Sequence, residues 1–311
     1  MNVEPCNNTK LIGYNDLLLD LKDLYDKKAL PNKIIFSGQS GIGKATLSYH
    51  LFNYIFSIDE EKKYDYNKNI ISEENSSFKL ISQNTHPNFY LITNDEDKTN
   101  IQISKIRDMI NFCNKSSFNN KSKIILIDNI EYLNKSSINA LLKIIEEPSE
   151  NTFFFLIHNN KFKILDTLKS RCIKFNLHLC ENDIQKINNT HMVKDFYTNL
   201  NNDFKNYYMT PGDLFILKQQ FEECEIDEHI SIEELIKQII NQSLYKKSVT
   251  IKKKLSCFIE LYFNKKISSH KSKVYIYSVY KYFLKKIADC NKYNLDLEPV
   301  LIELNNKIIN E

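Results

Sequence analysis

Three of the chain's five glycines fall within six positions, in the run Gly38-Gln39-Ser40-Gly41-Ile42-Gly43-Lys44. Glycines let successive backbone N–H groups curl around phosphate oxygens, and a lysine adds charge at the outer phosphates. The apolar run Lys33-Ile34-Ile35-Phe36 ahead of the loop reads as a strand, and Ala45 to Phe52 reads as a helix. That strand–loop–helix context is the one a phosphate loop requires. A Ser or Thr hydroxyl normally follows the lysine and ligates Mg²⁺; here the position is Ala45. Thr46 does not replace it, because the next helix residue points about 100° away. Gly38, Gly41, Gly43 and Lys44 are therefore expected to form a degenerate nucleotide site. It can hold phosphates but is poorly built to hold the metal that makes them react.

A second acid belongs to the same chemistry. Lys123-Ile124-Ile125-Leu126-Ile127-Asp128 reads as a buried strand ending in a carboxylate. An Asp there, downstream of a phosphate loop, supports Mg²⁺ through its water shell. In ATP-hydrolysing sites a Glu follows and orients the attacking water. This chain has Asn129, whose amide cannot take a proton. Arginine is the other informative residue. Lysine outnumbers it 40 to 2, with Asn, Ile and Tyr abundant, as a drift toward AT-rich codons would produce. The two survivors, Arg107 and Arg171, are candidates for positions that need a planar guanidinium. Arg171 lies in Thr167-Leu168-Lys169-Ser170-Arg171-Cys172, at a helix-to-strand junction, where it could cap its own domain or project toward a neighbour. Glu146 and Glu147 end a helix whose apolar stripe is Ile138, Leu141, Leu142 and Ile145. The helix dipole disfavours acids there, so this end is either solvated or functional.

The elements that must position these residues alternate. Strands are expected near 33–37, 88–92, 123–128 and 153–157, with helices over 15–25, 45–57, 102–114 and 135–147. This pattern implies a parallel sheet with helices on both faces. Residues 58–78 are polar and charged and read as a surface insertion. After about 179 the strands stop, and helices are expected over 181–206, 213–224, 232–244, 247–264, 268–289 and 295–309. The expected domains are an α/β unit at 1–178, a small helical lid at 179–240 and a C-terminal helical unit at 241–311. Net charge is +3, too small for a general nucleic-acid footprint, although a local basic patch stays open. The seven cysteines form no Cys-x-x-Cys pair, so neither a disulfide framework nor a clustered metal site is expected. Without a signal peptide or an apolar stretch near the roughly 20 residues that span a membrane, a cytoplasmic chain is expected.

Together these segments resemble the clamp-loader branch of the AAA+ ATPases, and most of all the delta-prime family of bacterial DNA polymerase III. The resemblance rests on Leu11-Ile12-Gly13, Gly38 to Lys44, Thr85-His86-Pro87-Asn88-Phe89, Ile101 to Arg107, Asn139 to Pro148 and Ser170-Arg171-Cys172, with a weaker Thr210-Pro211-Gly212. It covers about residues 11–178. It implies a ring of related subunits, of gamma/tau and delta type, that loads a sliding clamp onto primed DNA, with 241–311 as its oligomerisation (collar) domain. It also implies that Arg171 acts in trans, as an arginine finger on a neighbour's ATP. The departures are Ala45 and Asn129, where clamp-loader ATPases carry a hydroxyl and an acid, and Gly212, near which they carry an arginine in the second domain. They favour the non-hydrolysing type, with no cofactor required and at most weak ATP or ADP binding at Gly38, Gly41, Gly43, Lys44 and Asp128. Many relatives carry a four-cysteine zinc module that would fall within 53–88. That stretch has no cysteine here, so no metal is expected. The alternative is a catalytically active clamp-loader or helicase-loader ATPase.

Overall fold

A computed structural model describes residues 4–94, 100–149, 151–191, 193–269, 273–293 and 295–309. The chain folds as two compact units: residues 1–187 together with Thr210–Gly212, and residues 188–209 together with 213–311. In the first, α1 (Asn15–Asp26), β1 (Lys33–Gly38), α2 (Lys44–Phe56), α3 (Ser76–Ser82), β2 (Phe89–Ile92) and α4 (Ile103–Asn114) follow one another. Then come β3 (Lys123–Ile127), α5 (Lys135–Glu146), β4 (Thr152–Asn159), α6 (Asp166–Lys169), β5 (Ile173–Asn176) and α7 (Glu181–Asn188).

The five strands form one sheet in the order β2-β3-β4-β1-β5, and every pairing is parallel. Its central strands are apolar at consecutive positions because both faces are covered. Ile34 and Phe36 of β1, Ile124 and Leu126 of β3, and Phe155 and Ile157 of β4 enter one core with α2. Their alternates Ile35, Ile125, Ile127, Phe154 and Leu156 enter the other, with α4 and α5. A period of two thus divides one apolar run between two cores. Local chemistry fixes the helix ends. Asn134 caps α5 by accepting the Ser137 N–H at 2.8 Å. Lys123, buried on β3, donates to the carbonyls of Phe112, Cys113 and Lys115 at the C-terminus of α4, where the dipole favours a cation.

The 58–78 segment is more than a surface insertion. Its Tyr64 is buried, and the Tyr64 hydroxyl donates to His50 Nδ1 on α2 at 2.9 Å. The other ring nitrogen, Nε2, donates to the Asn8 carbonyl at 3.1 Å. Burial lowers the His50 pKa to about 4, so the ring is a neutral tether at physiological pH.

The second unit is helical throughout: α8 (Lys194–Asn199), α9 (Asn202–Lys205), α10 (Pro211–Glu223), α11 (Ile232–Asn241) and α12 (Leu244–Lys247), then α13 (Val249–Ser269), α14 (Lys273–Tyr293) and α15 (Glu298–Ile309). The single helix expected over 181–206 is three helices, α7, α8 and α9. The break at Asn201 has a local cause: its side chain accepts the Asp203 N–H at 3.0 Å and caps α9. Ser231 and Glu234 form a capping box at α11. One cluster of buried residues, from Val193 to Leu304, forms the core of this unit. No described helix is long and apolar enough to cross a membrane.

Phe155 is fully buried, with ring centroids 4.8 Å from Phe52 and 6.0 Å from Phe36. Phe155→Ala should lower stability by about 3–5 kcal/mol, read as a shift of the urea midpoint with an unchanged slope.

Candidate functional site

The loop between β1 and α2 is set by backbone geometry. Gly43 is the N-cap of α2 with φ 87°. A Cβ there would meet nothing closer than 4.0 Å, so the glycine answers the left-handed backbone rather than a lack of space. The first N–H groups of α2 have no intrahelical acceptor and are the natural anion donors of the site. Lys44 is buried. Its ammonium donates to the Gly38 carbonyl at 2.9 Å and to the Gln39 carbonyl, which folds it over the loop. An ammonium has three donors, so one proton remains for an anion.

Around this cation stand two carboxyls. Asp128, just past the end of β3, is raised to about 6, first by burial, with Lys44 opposing and Glu131 adding to the shift. Glu131 is also raised by burial, while the Asn159 N–H and Lys44 favour its ionised form. Its Oε2 accepts the Asn159 N–H at 3.2 Å, which ties it to the end of β4. Burial lowers the Lys44 pKa, and both carboxyls oppose that shift. Lys44, Asp128 and Glu131 therefore act on one another electrostatically. Glu131 was not singled out in the sequence, where only its distance of three residues from Asp128 could have suggested it. Asn129, in the place of the missing acid, sits in the left-handed region at φ 60°, which an Asn tolerates better than most residues.

The Gly212 departure has a steric explanation that the sequence did not supply. The Gly212 N–H donates to the Gly41 carbonyl at 2.9 Å. A Cβ on Gly212 would lie 2.5 Å from Gly41 Cα and 3.0 Å from its carbonyl oxygen. Backbone rests on backbone here, so position 212 has no room for a side chain of any kind, arginine included.

Arg171 lies apart from this group. Cys172 is buried in the α4–α5 side of the core, and Arg171 is exposed. The alternation that buries the cysteine turns the arginine outward. Of the two places the sequence left open, its own domain holds the guanidinium in the free chain. Nε donates to Glu146 Oε1 at 2.9 Å, and Nη2 approaches the same oxygen at 2.6 Å. Nη1 donates to the Thr167 carbonyl at 3.1 Å and to Ser170 Oγ at 3.3 Å. Glu146 thereby gains a partner that offsets its unfavourable place at the end of α5. Glu147 makes no ion pair among the described residues. Arg107 is exposed on α4. Among the described residues, no group of three His, Cys, Asp or Glu side chains is placed to hold a metal.

Residues 13–181 match the family model described as DNA polymerase III, delta subunit, and the chain belongs to that family. The DNA polymerase III subunit delta' of Buchnera aphidicola subsp. Schizaphis graminum is 32% identical over 156 residues, 50% of this chain and 45% of that protein. The subunit delta' of Buchnera aphidicola subsp. Baizongia pistaciae is 32% identical over 153 residues, 47% of this chain and 44% of that protein. The chain thus spans less than half the length of these curated relatives in the matched region. In fold it is similar to a DNA polymerase III, gamma subunit-related protein from Thermotoga maritima, with a TM-score of 0.52 over 94% of this chain and 98% of that one, at 17% identity. The fold is a parallel α/β domain with a phosphate loop after its first strand and a helical remainder, as in that structure.

Two substitutions test the geometry. Gly212→Ala should destabilise the chain by roughly 1–3 kcal/mol, measured by urea unfolding, because neither backbone can yield cheaply. Asp128→Asn should do the reverse near neutral pH. A carboxyl raised to about 6 favours the folded state when protonated. That contribution is complete below the unfolded value near 4 and is lost as pH rises through about 6. Asp128→Asn should therefore gain roughly 1–3 kcal/mol over the native chain at pH 7.5, with the gain vanishing in melts at pH 3.5.

Proposed function

We propose that the chain is a non-hydrolysing subunit of the bacterial DNA polymerase III clamp loader. In this reading it joins gamma/tau- and delta-type subunits in a ring that loads a sliding clamp onto primed DNA. Its own loop is structural or binds ATP or ADP weakly, with Gly38, Gly41, Gly43 and Lys44 on the phosphates and Asp128 nearby. Arg171 serves the neighbour's nucleotide. The observation that carries the reading is the division of parts between two places. The loop retains the phosphate cradle but has Ala45 for the metal-ligating hydroxyl, Asn129 for the acid and Gly212 for the arginine. Arg171, by contrast, is presented on the surface by a buried cysteine.

The chemistry assigned to each residue is limited. Lys44 and the α2 N-terminus would neutralise phosphate charge. Arg171 would leave Glu146 and contact two oxygens of a terminal phosphate, stabilising the charge that grows on them during transfer. The exchange is cheap, because an exposed ion pair is worth only about 0–1 kcal/mol. Such a finger is worth roughly 10³–10⁵ in rate in NTPases.

One observation favours the alternative of an active ATPase. The Glu131 carboxyl shares the field of Lys44 and Asp128, and a carboxylate can serve as a base. Its attachment to the Asn159 N–H and the absence of a hydroxyl at Ala45 weigh against it.

The isolated chain should therefore turn over ATP at a rate roughly 10²–10⁴ below that of a motor subunit, in a steady-state assay. Turnover equal to the motor subunit's, abolished by Lys44→Ala and Glu131→Gln, would establish the alternative. In the assembled complex, Arg171→Lys should reduce DNA- and clamp-stimulated ATPase at least tenfold without altering assembly or the melting temperature. Unchanged stimulated activity would remove the role in trans. Glu146→Gln should leave stability within about 1 kcal/mol and preserve the stimulated rate, since Glu146 only holds the arginine before it engages.

A further inference from the structure

Charge is segregated along this chain. Residues 246–292 hold 13 lysines and two acids, Glu260 and Asp289, a surplus of +11 in a molecule whose total is +3. The remaining residues sum to −8. A drift from arginine to lysine does not produce this. It changes the type of cation and leaves the number of acids untouched, whereas here acids are depleted where lysines accumulate.

The fold puts part of that surplus on one open line. In α14 the buried residues are Ile276, Phe283, Ile287 and Cys290. At 100° per residue they define one face, and the opposite face runs through Val274, Tyr277, Lys281, Lys285, Ala288 and Lys292. Every one of these six is exposed, Val274 to 84% and Tyr277 to 49%. Asp289 is the only acid in the helix and lies to the side of this line. Among the described residues Lys281, Lys285 and Lys292 make no ion pair. Lys281 instead lies 4.8 Å from the centre of the Tyr277 ring and Lys292 lies 4.9 Å from that of Tyr293. Those on the opposite flank differ: Lys286 is paired with Glu303 at 2.8 Å.

We propose that this face of α14 is a DNA-binding surface that tracks the phosphodiester backbone. Lys281 and Lys285 are one turn apart, about 6 Å, and Lys281 and Lys292 about 16 Å, so several phosphates of one strand are within reach of one helix. Lysines act as point charges on phosphates and carry no base-sequence information. The contact is thus independent of sequence, as suits a chain from a DNA polymerase family that would meet any template. The inference does not depend on the role of Arg171 or on the state of the phosphate loop.

The test uses the full chain and a fluorescein-labelled primed oligonucleotide duplex, with anisotropy titrations between 50 and 200 mM salt. In the variant Lys281→Gln/Lys285→Gln/Lys292→Gln, affinity at 100 mM salt should fall at least tenfold. The slope of log K against log salt should become shallower by about 2–3, close to one released counterion per lysine. The matching triple Lys→Arg variant should bind as the native chain does, and Lys27→Gln/Lys28→Gln/Lys143→Gln, on the acidic remainder, should change neither quantity. An unchanged slope in the first variant overturns the proposal, as does an equal loss in the last one, which would mean diffuse attraction. A first variant that binds DNA normally but no longer co-purifies with partner subunits also overturns it, and makes the face a protein contact.

Discussion

The two-sided burial of the central strands governs everything placed at their ends. β1, β3 and β4 are covered on both faces, and their register is fixed by parallel pairing. A slip of one residue would exchange the contents of the two cores and is strongly resisted. The phosphate loop leaves the end of β1, Asp128 follows β3, and Asn159 ends β4. All three ends lie on the same edge of the sheet because the strands are parallel, which is where doubly covered α/β sheets generally hold ligands. The residues of the candidate site thus sit at the ends of the most buried strands of the first unit.

Those residues interact. Lys44 is held over the loop by carbonyls, and its positive charge is balanced by Asp128 and Glu131. Position 45 supplies no hydroxyl to the group, whose oxygen-bearing side chains are the carboxyls of Asp128 and Glu131. Burial raises both carboxyls, and the Glu131 charge adds to the shift of Asp128.

Much of this was readable in advance because it is local. Glycine spacing, the acid ending an apolar strand and the strand–helix alternation are short-range patterns, and the observed strands begin and end close to where those patterns place them. What escaped depends on residues distant in sequence. Arg171 and Glu146 are 25 positions apart, and no periodicity links them. The oddity of an acid at a helix C-terminus was visible, but not its partner. Tyr64 looked like one aromatic in a polar insertion until its hydroxyl met His50. Within the helix expected over 181–206, the break between α8 and α9 arises because Asn201 offers the backbone a turn, a choice that polar, asparagine-rich segments conceal. Position 212 was recognised as lacking an arginine, while the reason, a second backbone pressed against Gly41, exists only in three dimensions.

That contact has a historical consequence. A serine at 45 or an acid at 129 changes one side chain for another of similar size. An arginine at 212 is different, since its Cβ would enter space held by Gly41. The start of α10 or the loop would have to retreat first, and any intermediate would carry the cost of that retreat with no gain in chemistry. The packing therefore acts as a ratchet: with the helix start settled on the loop, a side chain at 212 requires several coordinated changes.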